Sequence, residues 1–249
     1  MAVLSADAHL MSLEREARWV AAARQAAADI QLVARCEYRQ GTAEALPFDD
    51  ATFDFVTCQT LLIHVADPVV VIAEMRRVLR PGGVVLLSEP NNLAGALVAD
   101  SVTAGRSVAA VVEHVEFVLT CERGKQALGE GNSSVGDLLP GYLHSAGFRE
   151  IQSFLNDKTD QLVPPYERPD ERALAQAIIT SSQERRWTWT EADARRYFAA
   201  GGGQAEHFDR RWQRRLSEQE ELAQQLRDGR LHGSGGGIHY LISGRRASR

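Results

Sequence analysis

Glycine is missing from the first forty residues, although the 249-residue chain holds 20 of them. Nothing ahead of Gly41 supplies the close backbone approach that a glycine turn gives to a ligand. Nowhere is there a G-x-x-x-x-G-K-[ST] phosphate loop, and Gly233 to Gly237 runs into an apolar strand pattern rather than a helix N-terminus. Nicotinamide-dependent chemistry therefore has no support. Cysteine is scarce as well: Cys36, Cys58 and Cys121 are widely spaced, with no C-x-x-C and no histidine pairing, which excludes a zinc site and predicts buried thiols in a reducing compartment. No apolar run reaches the length of a membrane span and no secretory leader opens the chain, so a cytoplasmic protein with no membrane partner is expected. Surplus positive charge is absent too. The formal net charge of -5 and pI near 5.8 argue against nucleic acid as a partner. The local run Arg210, Arg211, Arg214 and Arg215 is followed by Glu218, Glu220 and Glu221, the pattern of a solvated helix face.

What is present is the composition of a globular protein, 44% hydrophobic and 24% charged, long enough for one α/β domain with an inserted or appended helical part. Met11 to about Ile30 predicts an amphipathic helix, preceded by a short strand at Val3-Leu4-Ser5-Ala6 that ends at Asp7. Cys36–Gln40 reads as a strand, Gly41–Asp50 as an irregular loop and Phe53–Cys58 as a buried strand. Asp67-Pro68 supplies an N-cap and first-turn proline for a helix to about Leu79; Pro81-Gly82-Gly83 ends it and precedes the strand Val84–Ser88. Helix is expected again around Val108–Val118 and at Leu138–Ala146. Gly147 closes the latter, and a strand follows at Phe148–Phe154. Asn156–Pro169 reads as a linker or lid loop, Asp170 to about Arg227 as helix, and Ile238–Ile242 as a final strand. Alternating strand and helix predicts a parallel sheet covered on both faces.

Three blocks carry a resemblance: Gly41-Thr42-Ala43-Glu44-Ala45-Leu46-Pro47-Phe48, then Phe53-Asp54-Phe55-Val56, then Leu79-Arg80-Pro81-Gly82-Gly83. In this order and spacing they resemble the middle of a class I S-adenosylmethionine-dependent methyltransferase of the small-molecule type, over about Val3 to Phe154 plus the last strand. The resemblance implies a Rossmann-like sheet in the order 3-2-1-4-5-7-6 and S-adenosylmethionine as cofactor. It places residues 1–155 with 236–246 in the methyltransferase domain, and 91–139 with 156–232 in helical cover or lid segments over a small-molecule substrate.

By the same comparison Thr42, Ala43 and Glu44 lie beneath the adenine, with a hydroxyl at Thr42 where relatives often carry a carboxylate. Asp7 takes the position of the ribose carboxylate, or alternatively caps a helix. Cys58 and Gln59, with Thr60, face the methionine half of the cofactor at the carboxyl edge of the sheet. His64 matches a family histidine, either as a base or as a packing residue. Glu89 either orients the acceptor or caps the next element. His114, Tyr142 and His144 fall in the cover as weaker substrate contacts.

Because the family's first strand and its glycine turn have no counterpart before the predicted second strand, the resemblance implies a sheet short of its central strand. Unpaired buried backbone groups there cost roughly 1 to 3 kcal/mol each. Two functions are open at this point: methyl transfer by a chain with a wrong start or truncation, or a degenerate methyltransferase-like protein that binds a ligand or partner with weak or no cofactor affinity.

Overall fold

A computed structural model of the protein describes residues 7–156 and 159–248. The chain begins with β1 (Leu10–Glu14), α1 (Ala17–Asp29), β2 (Cys36–Gln40), β3 (Phe53–Gln59), α2 (Pro68–Val78) and β4 (Leu79–Pro90). Helices α3 (Asn92–Gly95), α4 (Val108–Ala127) and α5 (Leu139–Ser145) follow, then β5 (Phe148–Leu155) and β6 (Asp160–Leu162). Three further helices, α6 (Pro169–Gln183), α7 (Glu191–Ala200) and α8 (Ala205–Arg227), precede β7 (Gly233–Gly235) and β8 (His239–Arg246).

The main sheet runs β3-β4-β8-β5, with β3 and β4 parallel and β8 antiparallel to both of its neighbours. β1 and β2 form a separate parallel pair, Leu10 opposite Cys36 through Glu14 opposite Gln40. Set beside the order 3-2-1-4-5-7-6, the strands fall as β2-β1, an unfilled first position, then β3-β4-β8-β5. Among the described residues no strand pairs with the inner edge of β1 or of β3. The cost expected for such a gap is lowered by exposure. No residue of β1 or β3 is buried, whereas β4 alternates buried and half-buried positions, so water reaches the two free edges.

Several sequence expectations change. The segment from Met11 does not begin a helix: Leu10–Glu14 is strand, and the helix starts at Ala17. Helix propensity loses there to a five-residue ladder with Cys36–Gln40. The strand predicted at Val3-Leu4-Ser5-Ala6 lies outside the described residues but for its end at Asp7, which is in a turn. Pro81-Gly82-Gly83 does not precede the strand but is taken into it, as a bulge between the Phe53–Leu79 and Phe55–Val84 pairs, with Gly82 at φ +80°. Part of the supposed lid loop is β6, which pairs with β7.

Other expectations hold. Asp67 caps α2 by accepting from Val69 N–H at 2.8 Å, with Pro68 in the first turn. Gly147 follows α5 at φ +85°.

Three apolar clusters organise the molecule. One joins α2, β4, α5 and β8 through Ile72, Leu79, Leu87, Leu143 and Ile242. A second packs α4 on α7 and α8 through Phe117, Phe198, Phe208 and Trp212. The third joins β6, α6 and the end of α8. Helices α4 and α7 approach closely because Gly124 and Gly201 face each other's backbone: a Cβ on Gly124 would lie 1.7 Å from Tyr197 O.

Candidate functional site

Parallel strands deliver their C-terminal residues to one edge, so Glu14 and Gln40–Gly41 end together in the β1–β2 pair, and Gln59–Thr60 and Glu89–Pro90 end together in the main sheet. The β1 and β2 ends are tied by Gly41 N–H donating to Glu14 O at 3.0 Å, and by Gln40 Nε2 donating to Arg15 O at 3.0 Å. Leu13 packs so closely on Gly41 that a Cβ there would meet Leu13 Cδ1 at 2.9 Å. The following loop is clamped by α2. Leu46 N–H donates to Glu74 Oε2 at 2.9 Å, and Arg77 donates to Leu46 O at 2.9 Å and to Phe48 O and Asp50 Oδ1 at 2.8 Å. Arg77 also pairs with Glu74, whose pKa is lowered chiefly by that hydrogen bond. The clamp leaves Thr42 and Glu44 exposed and Ala43 half-buried against the main core. Among the described residues, the Ala43 and Glu44 N–H groups donate to no backbone acceptor.

Asp7 is not with them. It is exposed, in a turn before the N-terminal end of β1, away from the edge where Thr42, Ala43 and Glu44 gather. The acidic residue that does end β1 is Glu14, exposed and with no side-chain partner among the described residues. Its signal in the sequence was spacing, since Glu14 stands seven residues closer to Gly41 than Asp7 does. An Ala-rich helical pattern running through it concealed the strand end.

At the β3 and β4 ends, Gln59 is exposed and Thr60 adopts φ +54°. Glu89 is fully buried; its Oε1 accepts from Leu61 N–H at 2.9 Å, Leu62 N–H at 3.0 Å and the Cys58 thiol at 3.5 Å. It thus caps the short helical turn Leu62–His64 and lines neither cavity described below. Burial raises the Glu89 pKa despite these donors. Burial, with the Glu89 carboxyl beside it, pushes the Cys58 thiol up, so Cys58 stays protonated and is no nucleophile. His64 sits exposed on that turn, its pKa lowered by desolvation and then by the Lys125 and Arg15 charges.

Behind the turn, α4 contributes a buried polar group. Lys125 Nζ donates to Ile63 O at 2.9 Å and Ser133 Oγ at 2.8 Å, while Glu122 Oε2 accepts from Ser133 N–H at 3.2 Å. Burial raises the Glu122 pKa and lowers that of Lys125.

Two cavities of about 190 Å³ and about 450 Å³ share His114, Trp187 and Thr188 as a common wall. The smaller opens against Asn92, Gly95 and Ala96, just beyond the end of β4. The larger extends between α6 and α8. Of the weaker candidates only His114 lines these spaces; Tyr142 packs on the main core and His144 is exposed. Among the described residues no cluster of histidine, cysteine and carboxylate suits a metal ion, and no helix is long and apolar enough to cross a membrane.

Strand order, parallel edge and clamped loop define the class of fold as a Rossmann-like class I methyltransferase sheet. Residues 1–87 match the methyltransferase domain family. It is 51% identical over 53 residues to the demethylmenaquinone methyltransferase of Bacillus subtilis, covering 21% of this chain and 23% of that protein. It is 44% identical over 66 residues to the ubiquinone/menaquinone biosynthesis C-methyltransferase UbiE of an Enterobacter species, 26% of each. An uncharacterised methyltransferase of Schizosaccharomyces pombe is 43% identical over 58 residues, 23% of this chain and 21% of that one. The matches thus span about a quarter or less of these relatives' length. The crystal structure of the YcgJ protein of Bacillus subtilis superposes over 96% of this chain and 82% of its own, with 17% identity and a TM-score of 0.47.

Proposed function

We propose that the protein transfers a methyl group from S-adenosylmethionine to a small-molecule acceptor. The observation that carries this reading is the coincidence, at one sheet edge, of the unpartnered Glu14 carboxylate with the unengaged N–H groups of Ala43 and Glu44. Such a donor and acceptor set fits a nucleoside: a carboxylate takes two adjacent ribose hydroxyls, and a backbone N–H takes a ring nitrogen. Glu14 replaces Asp7 in this role, while Thr42, Ala43 and Glu44 keep the places the resemblance gave them. Gln59 and Thr60 stand on the side of the methionine half, and Cys58 serves beneath them as a packed thiol.

Bound S-adenosylmethionine would supply an activated methyl on a sulfonium that is its own leaving group. The remaining work for the chain is alignment and exclusion of water. Segments 91–139 and 156–232 serve as the cover that does both, and the paired cavities under it hold the acceptor.

A second reading is favoured by the unfilled position between β1 and β3. With no described strand there, the methionine half has fewer contacts than the nucleoside half, and the chain binds the nucleoside without efficient turnover. Calorimetric titration with adenosine and with S-adenosylmethionine separates the two. Tighter binding of S-adenosylmethionine by about tenfold, with methyl transfer to an acceptor, supports the first reading; equal affinities without transfer support the second.

A further inference from the structure

The larger cavity has a wall that neither the sheet edge nor the cofactor reading uses. Arg215, on α8, projects into it with a side chain only 2% exposed, an unusual position for a guanidinium. Arg106 joins it from the segment before α4, and Arg186 from the turn after α6. Their compensation is thin. Among the described residues Glu218 is the carboxylate in contact with them, at 2.7 Å from Arg215 and 3.4 Å from Arg106, and it is shared with Arg214 at 3.4 Å, while Glu113, paired with Arg214, adds a more distant negative charge near Arg215. The other carboxylate of the wall, Asp100, spends Oδ1 on the N–H groups of Val102 and Thr103 and on the Thr103 hydroxyl. Arg186 meets Glu184 only in an exposed pair at 3.2 Å.

Two further groups line the same wall. Gln219 lines the same cavity; its Nε2 donates to Arg186 O at 2.7 Å, and its buried Oε1 has no partner among the described residues. Trp187 supplies an aromatic surface shared with the smaller cavity, which opens at the end of β4. Arg215 Nη1 lies against His114 Nδ1, and since guanidinium only donates, Nδ1 is the acceptor and the histidine's proton is on Nε2.

We propose that this cavity is a binding site for a planar aromatic carboxylate, its anionic group held by Arg106, Arg186 and Arg215 and its ring against Trp187. The volume of about 450 Å³ lies in the range of small-molecule sites. Guanidinium forks match a carboxylate in geometry, and an added anion offsets the desolvation that lowers the Arg215 pKa. The proposal deepens the methyl-transfer reading by naming the acceptor class and rests on that reading for its biological meaning; binding itself requires no cofactor.

The test is calorimetric titration of the full chain, without S-adenosylmethionine, using 2-naphthoate and its neutral isostere 2-naphthamide. Naphthoate is expected to bind saturably and naphthamide about tenfold more weakly. The double variant Arg106→Gln/Arg186→Gln, at the less buried positions, is expected to weaken naphthoate about tenfold while leaving naphthamide unchanged. Arg215→Met should abolish naphthoate binding; if that variant fails to fold, the double variant decides. No binding of naphthoate, equal affinity for the two probes, or undiminished naphthoate binding in the double variant overturns the proposal. Naphthoate binding without methyl transfer to any aromatic acid leaves the site standing and counts against the methyl-transfer reading alone.

Discussion

Lys125 Nζ donates to the carbonyl oxygen of Ile63 at 2.9 Å, joining the long cover helix α4 to the turn that follows β3. The ammonium is buried, so the bond forms where water does not compete. Replacement Lys125→Met leaves Ile63 O and Ser133 Oγ without their donor and Glu122 without a nearby cation. A loss of about 3 kcal/mol in urea denaturation is expected. The double variant Lys125→Met/Glu122→Gln should recover about 1 kcal/mol, since the two groups are coupled. Additive losses would show that Glu122 and Lys125 act independently.

Glu89 gives a prediction with a pH signature. Its pKa is raised above 4.5 by burial, and burial also raises that of Glu122. Stability from a raised carboxyl is fully present below pH 4.5 and is lost as pH rises through the folded value. The contribution of these two carboxyls to the melting temperature should therefore fall as pH climbs from 4.5, against the opposite trend from the lowered His64 and Lys125, and Glu89→Gln should remove its own share of that fall while Glu122 retains its share. The glutamine oxygen still accepts from Leu61 and Leu62, so the variant should stay within about 1 kcal/mol of the parent; Glu89→Ala strands both donors and should cost about 3 kcal/mol. Thermal melts of the three proteins between pH 4 and 8 check both statements. An unchanged slope in Glu89→Gln would remove Glu89 as its source.

On the nucleoside side, Glu14→Gln is expected to weaken adenosine binding about tenfold with little change in melting temperature, because the exposed carboxylate has no side-chain partner among the described residues. Asp7→Asn should leave binding unchanged. Arg77→Ala releases the Leu46–Asp50 loop and should weaken adenosine by about threefold, together with faster amide exchange at Leu46. Titration calorimetry on the three variants ranks them, and a larger effect at Asp7 than at Glu14 would reverse the assignment.

Gly124→Ala tests how the cover is built. The added methyl would fall 1.7 Å from Tyr197 O, so α4 and α7 must separate. Overpacking of this kind should cost about 3 kcal/mol. Gly141→Ala, on a helix where a methyl meets nothing within 4 Å, is the control and should be neutral in the same melts.

How much of this was legible in the sequence follows the range of the forces involved. Helix α2 was readable because Asp67 and Pro68 announce it locally, and β2 because its five residues matched a strand on their own. Strand β1 was not: Leu10–Glu14 owes its shape to pairing with residues 26 positions away, and the adjoining Ala-rich stretch favours helix. β6 and β7 are three residues each and exist only as partners. At the site, the irregular loop from Gly41 to Asp50 is readable from its own glycine and proline, whereas the end of β1 at Glu14 is hidden by the helical pattern that runs through it. The Arg77 clamp spans up to 31 positions and the cavity wall brings Arg106, Arg186 and Arg215 together from three segments. No spacing rule reaches such assemblies.

The break between β1 and β3 divides the sheet's ladder into two parts that share no rung. A sheet with continuous hydrogen bonding melts as one body, whereas here the β1–α1–β2 part can open while β3-β4-β8-β5 stays closed. Of the two halves of the proposed nucleoside grip, Glu14 belongs to the smaller part, while the loop after Gly41 is also held to the larger one through Ala43 and the Arg77 clamp, so a bound nucleoside would bridge two parts that share no strand pairing.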